Sequence, residues 1–274
     1  MPLQFQNHPG LVAYLTIGDP DLAASHAIAL AAIDAGADVL ELGVPFSDPV
    51  ADGPVIQRAS ERALRNGVTL RDVLALAATL RKERPAAGLV IFSYLNPILR
   101  LGLEEFCAAA EHAGVDGVLV TDLIVEEAHD YLEAMHRHRL APIFLAAPTS
   151  PDARLERIAA ACWVPGELAR GGSSQGFVYA ISRVGITGAQ KSLTSDAEQL
   201  VRRLRKVTKL PIAVGFGISA PEHFAAVGEF ADAAVVGSAI VAAVEQAGPK
   251  AAPAAVARFI QGLRGVPEPA AQSR

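Results

Sequence analysis

Eight short apolar segments alternate with amphipathic segments along the chain. The intervening stretches are rich in Ala and Leu and carry Glu and Arg at helical spacing, as in LRDVLALAATLRKERP and SDAEQLVRRLRKV. The pattern therefore predicts a strand followed by a helix, repeated eight times. The predicted strands are 11–18, 38–46, 89–96, 115–122, 141–148, 177–184, 210–218 and 233–240.

The apolar segments are nearly continuous, which is typical of parallel strands that are covered on both faces. Eight such units close most naturally into a (β/α)8 TIM barrel, an α/β fold. A doubly wound open sheet is the alternative, and it is weakened because no strand is followed by a GxGxxG turn. We expect one domain over residues 1–274, with a disordered Pro- and Ala-rich tail at 265–274.

Composition limits the binding partners and the cellular compartment that we expect for this chain. The net charge is -5 and no Lys/Arg-rich run occurs, so we expect neither nucleic acid nor a membrane as partner. The N-terminal segment MPLQFQNHPG lacks the basic and apolar regions of a secretory signal, which predicts a cytoplasmic protein. Cys107 and Cys162 have no metal-ligand spacing, so we predict two core residues and no metal site.

One predicted strand carries an acidic residue where the pattern calls for core. If residues 39–44 are extended, Leu40 and Leu42 share one face and Glu41 lies on the other. The aliphatic face suits the outer helices, so we predict that Glu41 points into the barrel. An unpaired carboxyl there loses hydration, which raises its pKa and suits it to general acid–base catalysis. A buried ion pair, with Arg183 as the main candidate, is the alternative.

Two more carboxylates follow in the loop after this strand. Asp48 and Asp52 lie in the Pro- and Gly-rich segment VPFSDPVADGP. Either could cap a turn or the helix that is predicted to begin near Val55. The loops after the strands also form the active face of a barrel, so both residues could meet a substrate there.

Glycines lie at or just after the carboxyl ends of the last three predicted strands. Gly217 lies where the seventh strand exits, Gly237 and Ser238 lie in the eighth, and Gly188 follows the sixth. Barrel enzymes commonly bind phosphate through backbone N–H groups of the last loops and a helix N-terminus. Turn geometry is the alternative for any single glycine, but together they favour a phosphorylated small molecule. No lysine is predicted inside the barrel, so a Schiff-base mechanism is not expected.

The segment ELGVPFSDPVADGPVIQRASERAL resembles the signature of the tryptophan synthase alpha subunit family. Further segments match the family in its order, among them LVAYLTIGDPD, SYLNPIL, GVDGVLVTD, SRVGITGA, GFGIS and VVGSAIV, so the resemblance covers residues 11–264. It implies a lyase of tryptophan biosynthesis that cleaves indole-3-glycerol phosphate into indole and glyceraldehyde 3-phosphate by a retro-aldol reaction. The resemblance implies neither a metal nor an organic cofactor.

The resemblance also assigns roles to individual residues. Glu41 matches the general acid–base and Asp52 the carboxylate that pairs with the indole N–H, while Thr187 matches the loop residue that closes onto Asp52. Tyr94 resembles the tyrosine beside the catalytic Glu. The phosphate site carries over to Gly188, Gly217, Gly237 and Ser238, with Tyr179 nearby, and Tyr14, Phe92, Leu119 and Phe216 match apolar walls of the indole pocket, for which core packing is the alternative.

The family works with a partner. Its alpha subunits form an α2β2 heterotetramer with a pyridoxal-phosphate beta subunit that receives indole through a tunnel. Asp48, Pro49 and Asn96 match positions at that contact. This chain itself is expected to need no cofactor.

Three features depart from the family. No room for the usual N-terminal floor helix precedes the first strand, so we expect a floor that is open or sealed otherwise. Residues 162–175 form an insertion before the sixth strand, which we expect to be a solvated loop without a catalytic role. Ile124 stands where the family commonly has proline.

Other functions remain open to the sequence. A stand-alone indole-3-glycerol phosphate lyase is one, although Asp48, Pro49 and Asn96 argue for a partner. A non-catalytic activating subunit is another, and intact Glu41 and Asp52 argue against it. A different phosphosugar barrel enzyme, such as an isomerase, would need signature segments that are absent.

Overall fold

A computed structural model describes residues 3, 5–163, 176–181, 190–215 and 217–265, with the backbone alone for 190–194. The strands are β1 (Gly10–Thr16), β2 (Val39–Gly43), β3 (Gly88–Ser93), β4 (Gly117–Val120), β5 (Ala141–Ile143), β6 (Leu145–Ala146), β7 (Val178–Ile181), β8 (Ile212–Gly215) and β9 (Ala233–Val236). The helices are α1 (Leu22–Asp34), α2 (Pro54–Arg65), α3 (Leu70–Glu83), α4 (Leu95–Leu101), α5 (Leu103–His112), α6 (His129–Arg137), α7 (Asp152–Ala161), α8 (Gln190–Leu204), α9 (Pro221–Gly228) and α10 (Ser238–Leu263).

The strands form one parallel sheet in the order β5-β4-β3-β2-β1-β9-β8-β7-β6. Strands β5 and β6 are two parts of one barrel strand interrupted at Phe144, because β5 pairs with β4 and β6 pairs with β7. The sheet therefore closes on itself. The predicted (β/α)8 barrel is confirmed, and the open-sheet alternative is wrong.

Several predicted strands are too long at their carboxyl ends. Leu95 and Asn96 begin α4, and residues 238–240 begin α10, where a strand was predicted. Apolar residues continue from each strand into the following helix, so hydrophobicity alone does not mark the boundary. Because these strands end earlier than predicted, the N-termini of α4 and α10 lie at the mouth of the barrel, where they can contribute to function.

The two faces of each strand pack against different partners. Leu40 and Leu42 belong to the large cluster between the sheet and the helices. Val39 packs instead with Val12 and Val90 inside the barrel. The predicted alternation of β2 is therefore confirmed, with Glu41 on the inner face.

Extended N-terminal residues seal the floor of the barrel. Leu3 is 3% exposed and packs among the interior residues, and the Phe5 ring lies 5.8 Å from the Phe177 ring. Gly88 and Gly117 make room, since a Cβ at either position would lie 3.2 or 3.1 Å from the Leu3 side chain. As expected, no helix precedes β1 among the residues described there. Two apolar side chains close the floor instead.

A buried carboxylate fixes this floor segment. Asp38 Oδ1 accepts from Gln6 N–H at 3.0 Å and Asn7 Nδ2 at 2.9 Å, and Oδ2 accepts from Leu11 N–H and from Arg264, each at 2.8 Å. One side chain therefore joins the N-terminal segment, β1 and the end of α10.

Two other aspartates at the floor make the same kind of contacts as Asp38. Asp116 accepts from Leu89 N–H at 2.9 Å, and Asp232 accepts from Ile212 N–H at 2.7 Å. Each aspartate directly precedes a strand, bonds the neighbouring strand and pairs with an arginine near the end of an earlier helix. The arginines are Arg81 for Asp116 and Arg205 for Asp232.

Some predicted features lie outside the described residues. These are residues 164–175 of the insertion and residues 266–274 of the tail. Trp163, directly before the first of these, is half exposed. Cys107 and Cys162 are buried free thiols, as predicted for core residues. No described helix is long and apolar enough to cross a bilayer.

Candidate active site

Glu41 is a buried carboxyl at the centre of the barrel. It is 1% exposed and lies in register between Tyr14 of β1 and Val90 of β3. Its Oε1 has no hydrogen-bond partner in the described part of the chain, and no described basic residue forms an ion pair with it. Arg183, the predicted candidate for such a pair, lies outside the described residues. Burial raises the pKa of Glu41 to about 8.

Asp52 is half buried in the loop between β2 and α2. Its Oδ2 accepts from the Tyr94 hydroxyl at 3.1 Å, and the Tyr94 oxygen accepts from Ala51 N–H at 2.9 Å. The Tyr94 ring stacks on Phe46 with 4.9 Å between centroids. Burial raises the pKa of Asp52 to about 6, although the hydrogen bond from Tyr94 opposes this. The Tyr94 hydroxyl therefore contacts the Asp52 carboxylate directly.

The two carboxyls hold different charges at neutral pH. Glu41, with a pKa of about 8, retains its proton, while Asp52, with a pKa of about 6, has lost its own. Asp52 does not cap α2, because Gly53 is the N-cap residue and no side chain bonds the first turn. Both carboxyls lie close enough to Tyr14 to add to the effect of burial in raising the pKa of its hydroxyl. A proton donor and an anion are therefore available at one site, an arrangement suited to acid–base chemistry.

Aromatic and aliphatic side chains line the same space. Tyr14 is 4% exposed and packs edge-on against Phe92 with 5.0 Å between ring centroids. Leu119 is the register partner of Phe92 on the next strand and is buried in the barrel interior. The structure therefore brings these three predicted wall residues together, and Phe216 lies outside the described residues.

Two glycines that the sequence analysis missed make room for the tyrosines. A Cβ on Gly43 would overlap the Tyr14 hydroxyl, and a Cβ on Gly215 would lie 2.8 Å from the Tyr179 hydroxyl. Both glycines lie at the carboxyl ends of inner strands. Glycine inside a strand marks the close approach of another group. The presence of glycine at these two strand positions was therefore the sequence feature that could have predicted the tyrosine contacts.

The predicted phosphate residues meet at one edge of the mouth. Gly237 is the N-cap of α10, Ser238 is its first residue, and Gly217 lies in the loop after the adjacent strand β8. Gly217 has a φ of +78°, which favours glycine. The unpaired N–H groups of the first turn of α10 and its positive dipole end suit an anion. Gly188 and Thr187 lie outside the described residues.

The predicted partner residues lie on the surface of the same face. Asp48 and Asn96 are exposed and Pro49 is half exposed. Val50 between them and Asp52 is 85% exposed, which is unusual for an apolar side chain. A groove of about 550 Å³ alongside is lined by Phe46, Ser47, Arg71, Asn96, Pro97 and Arg100, among others.

The described residues offer no site for a metal. No group of three or more His, Cys, Asp or Glu side chains is placed to bind an ion in that part of the chain.

The chain is similar to known proteins over almost its whole length. The sequence profile of the family described as tryptophan synthase alpha chain matches residues 2–264. The tryptophan synthase alpha chain of Solibacter usitatus is 49% identical over 244 residues, covering 89% of this chain and 86% of that one. The corresponding chain of Burkholderia thailandensis is 46% identical over 270 residues, covering 98% and 95%.

Solved structures give the same result. Tryptophan synthase from M. tuberculosis superposes with a TM-score of 0.80 at 37% identity, covering 94% of each chain. The tryptophan synthase complex from Pyrococcus furiosus superposes with a TM-score of 0.79 at 35% identity, covering 94% of this chain and 98% of that one.

Proposed function

The chain belongs to the tryptophan synthase alpha chain family, and from this premise we propose that Glu41 and Asp52 carry its reaction. That reaction is the lyase step of tryptophan biosynthesis, in which indole-3-glycerol phosphate is cleaved to indole and glyceraldehyde 3-phosphate. The observation that supports the assignment most directly is the buried Oε1 of Glu41, which has no hydrogen-bond partner among the described residues. Such a carboxyl holds a proton at neutral pH and can give it to a carbon atom.

The first half of the reaction needs a proton donor and an anion. Glu41 protonates C3 of the indole ring, which leaves a positive charge shared with the ring nitrogen. The ionised Asp52 accepts the ring N–H and stabilises that charge. Tyr94 holds the carboxylate in place through its hydrogen bond of 3.1 Å.

The second half returns the proton to Glu41. The carboxylate left after C3 protonation removes the proton of the glycerol hydroxyl on the carbon attached to the ring. The bond between that carbon and C3 breaks, its electron pair neutralises the ring cation, and the hydroxyl oxygen becomes the aldehyde oxygen. Glu41 ends protonated, so the cycle closes without a metal, an oxidant or a lysine.

The phosphate group anchors the substrate at the far end. Gly217, Gly237 and Ser238 offer main-chain N–H groups and the N-terminus of α10, with Gly188 as the fourth predicted residue. Tyr179 has its hydroxyl against Gly215, the last residue of β8, which directly precedes the loop that carries Gly217. Phosphate binding here would place the indole ring among Tyr14, Phe92 and Leu119, with Phe216 predicted to complete the wall.

The beta subunit is the partner, and we propose contact through Asp48, Pro49 and Asn96 in an α2β2 heterotetramer. The exposed Val50 and the groove beside Asn96 support this, because an apolar surface at the mouth suits a protein that receives indole. We further propose a cytoplasmic location, where buried thiols such as Cys107 stay reduced.

The test is release of indole from indole-3-glycerol phosphate by the purified chain, with and without beta subunit. We expect equimolar indole and glyceraldehyde 3-phosphate, faster turnover with beta subunit, and co-purification of the two chains. Cleavage without any binding to beta subunit would favour the stand-alone lyase. Binding without cleavage under both conditions would favour the non-catalytic activating subunit and overturn the proposed roles.

Tyr94→Phe is expected to move the acidic limb of the kcat/KM profile to higher pH by about half a unit to one unit. The hydroxyl stabilises ionised Asp52, so its loss raises the pKa of Asp52 further above about 6. Activity at pH 6 should fall several-fold and recover near pH 8. The measurement is kcat/KM from pH 5 to 9, and an unmoved acidic limb would count against a role for ionised Asp52.

A further inference from the structure

The Tyr14 hydroxyl is a buried polar group that the reaction scheme leaves unused. Its oxygen accepts from Thr16 Oγ1 at 3.3 Å, and Tyr14 is 4% exposed. At 3.3 Å this contact is long for a bond between two hydroxyls, so the Tyr14 proton is free to turn to a closer acceptor on a substrate. Burial raises the pKa of this hydroxyl well above its ordinary range, so the proton is present at neutral pH.

The position of the hydroxyl limits what it can bind. The base of the side chain lies beside the phosphate edge, since a Cβ on Gly237 would be 3.5 Å from Tyr14 Cβ. The hydroxyl lies at the opposite end of the ring, over Gly43 at the carboxyl end of β2. A phosphate held at the start of α10 is therefore on the wrong side of the ring.

Glu41 supplies the second constraint. Tyr14 and Glu41 are direct register partners on adjacent strands, and both face the barrel interior. The hydroxyl lies over Gly43, two residues further toward the mouth than Glu41, on the side from which substrate enters. A substrate atom that Glu41 deprotonates is therefore also within the region that the Tyr14 hydroxyl faces.

We propose that the Tyr14 hydroxyl donates a hydrogen bond to the glycerol oxygen that becomes the aldehyde oxygen of the product. This rests on the proposed function of Glu41. Negative charge develops on that oxygen while its proton leaves, and a fixed donor stabilises it more in the transition state than in the bound substrate. The indole N–H cannot accept this hydrogen bond because it is itself a donor, and the proposed reaction gives it Asp52 as its acceptor. Tyr14 is thus a substrate-contacting residue with a polar role as well as an apolar wall.

Tyr14→Phe tests this because it keeps the ring against Phe92 and removes only the hydroxyl. We expect kcat/KM for indole-3-glycerol phosphate to fall about 10-fold, mainly through kcat, as for loss of one hydrogen bond that strengthens in the transition state. A substrate analogue in which an unsubstituted propyl chain joins the indole ring to the phosphate lacks the oxygen concerned. Its inhibition constant for Tyr14→Phe should therefore stay within about twofold of the wild-type value.

Tyr131→Phe is the matched control. Its hydroxyl donates to the Val118 carbonyl at 3.0 Å in the layer between sheet and helices, away from the mouth. We expect kcat/KM to be unchanged there. A Tyr14→Phe enzyme with unchanged kcat/KM, or with equally weakened binding of the propyl analogue, would overturn the inference. Failure of the wild type to cleave substrate would overturn the proposed function itself, so the two failures are distinguishable.

Discussion

Glu41→Gln is expected to lower kcat for indole formation at least about 100-fold. The amide has the shape of the carboxyl but cannot deliver a proton to C3 or remove one from the glycerol hydroxyl. Indole release with saturating substrate, in the presence of beta subunit, is the measurement. The residual activity should also lack the alkaline limb near pH 8, since that limb reports loss of the Glu41 proton.

Glu61→Gln is the control for this variant. Glu61 lies on α2 in an exposed ion pair with Arg65, so its kcat should equal that of the wild type. Turnover of Glu41→Gln within a few-fold of wild type would show that another group transfers the proton.

The same substitution should change the pH dependence of stability. The folded pKa of Glu41 is raised from its ordinary 4.5 to about 8, so the folded chain binds more protons than the unfolded chain in this window. Wild-type stability therefore falls as pH rises from 4.5 to 8, and the glutamine variant lacks this loss. The free energy of unfolding of Glu41→Gln relative to that of the wild type should therefore rise by on the order of 3 kcal/mol between pH 5 and pH 8. Urea denaturation at each pH measures it.

Asp38→Asn is expected to lower the free energy of unfolding by about 3 kcal/mol. The amide keeps one acceptor where the carboxylate serves four donors, and it leaves the Arg264 guanidinium, 14% exposed, without its counter-charge. It also loosens the segment that carries Leu3 and Phe5 into the floor. Urea denaturation at neutral pH measures the change.

Asp34→Asn provides the comparison. Asp34 forms a two-point ion pair with Arg84, but its side chain is 55% exposed, so solvent screens the pair and we expect a loss below about 1 kcal/mol. Equal losses in the two variants would mean that burial does not set the strength of the Asp38 contacts.

Much of the site followed from local patterns. The alternation around Glu41 placed it on the inner face because a strand has a period of two, and its burial followed from the barrel itself. Acids after one strand and glycines after others predicted their meeting at the mouth, since all strands of a parallel barrel point the same way. Strand ends were less accurate, because α4 and α10 begin with apolar residues.

Other contacts depend on residues far apart in the chain. Side chains that meet across strands produce three of these contacts. They are the hydrogen bond from Tyr94 to Asp52, the close approach of Tyr14 to Gly43, and the closure of the floor by Leu3 and Phe5. The sequence determined the order of elements, the inner face of β2 for Glu41 and the family. Only the tertiary structure decided which donors find acceptors, and hence how far the pKa of each carboxyl is raised, because desolvation depends on everything packed around a group.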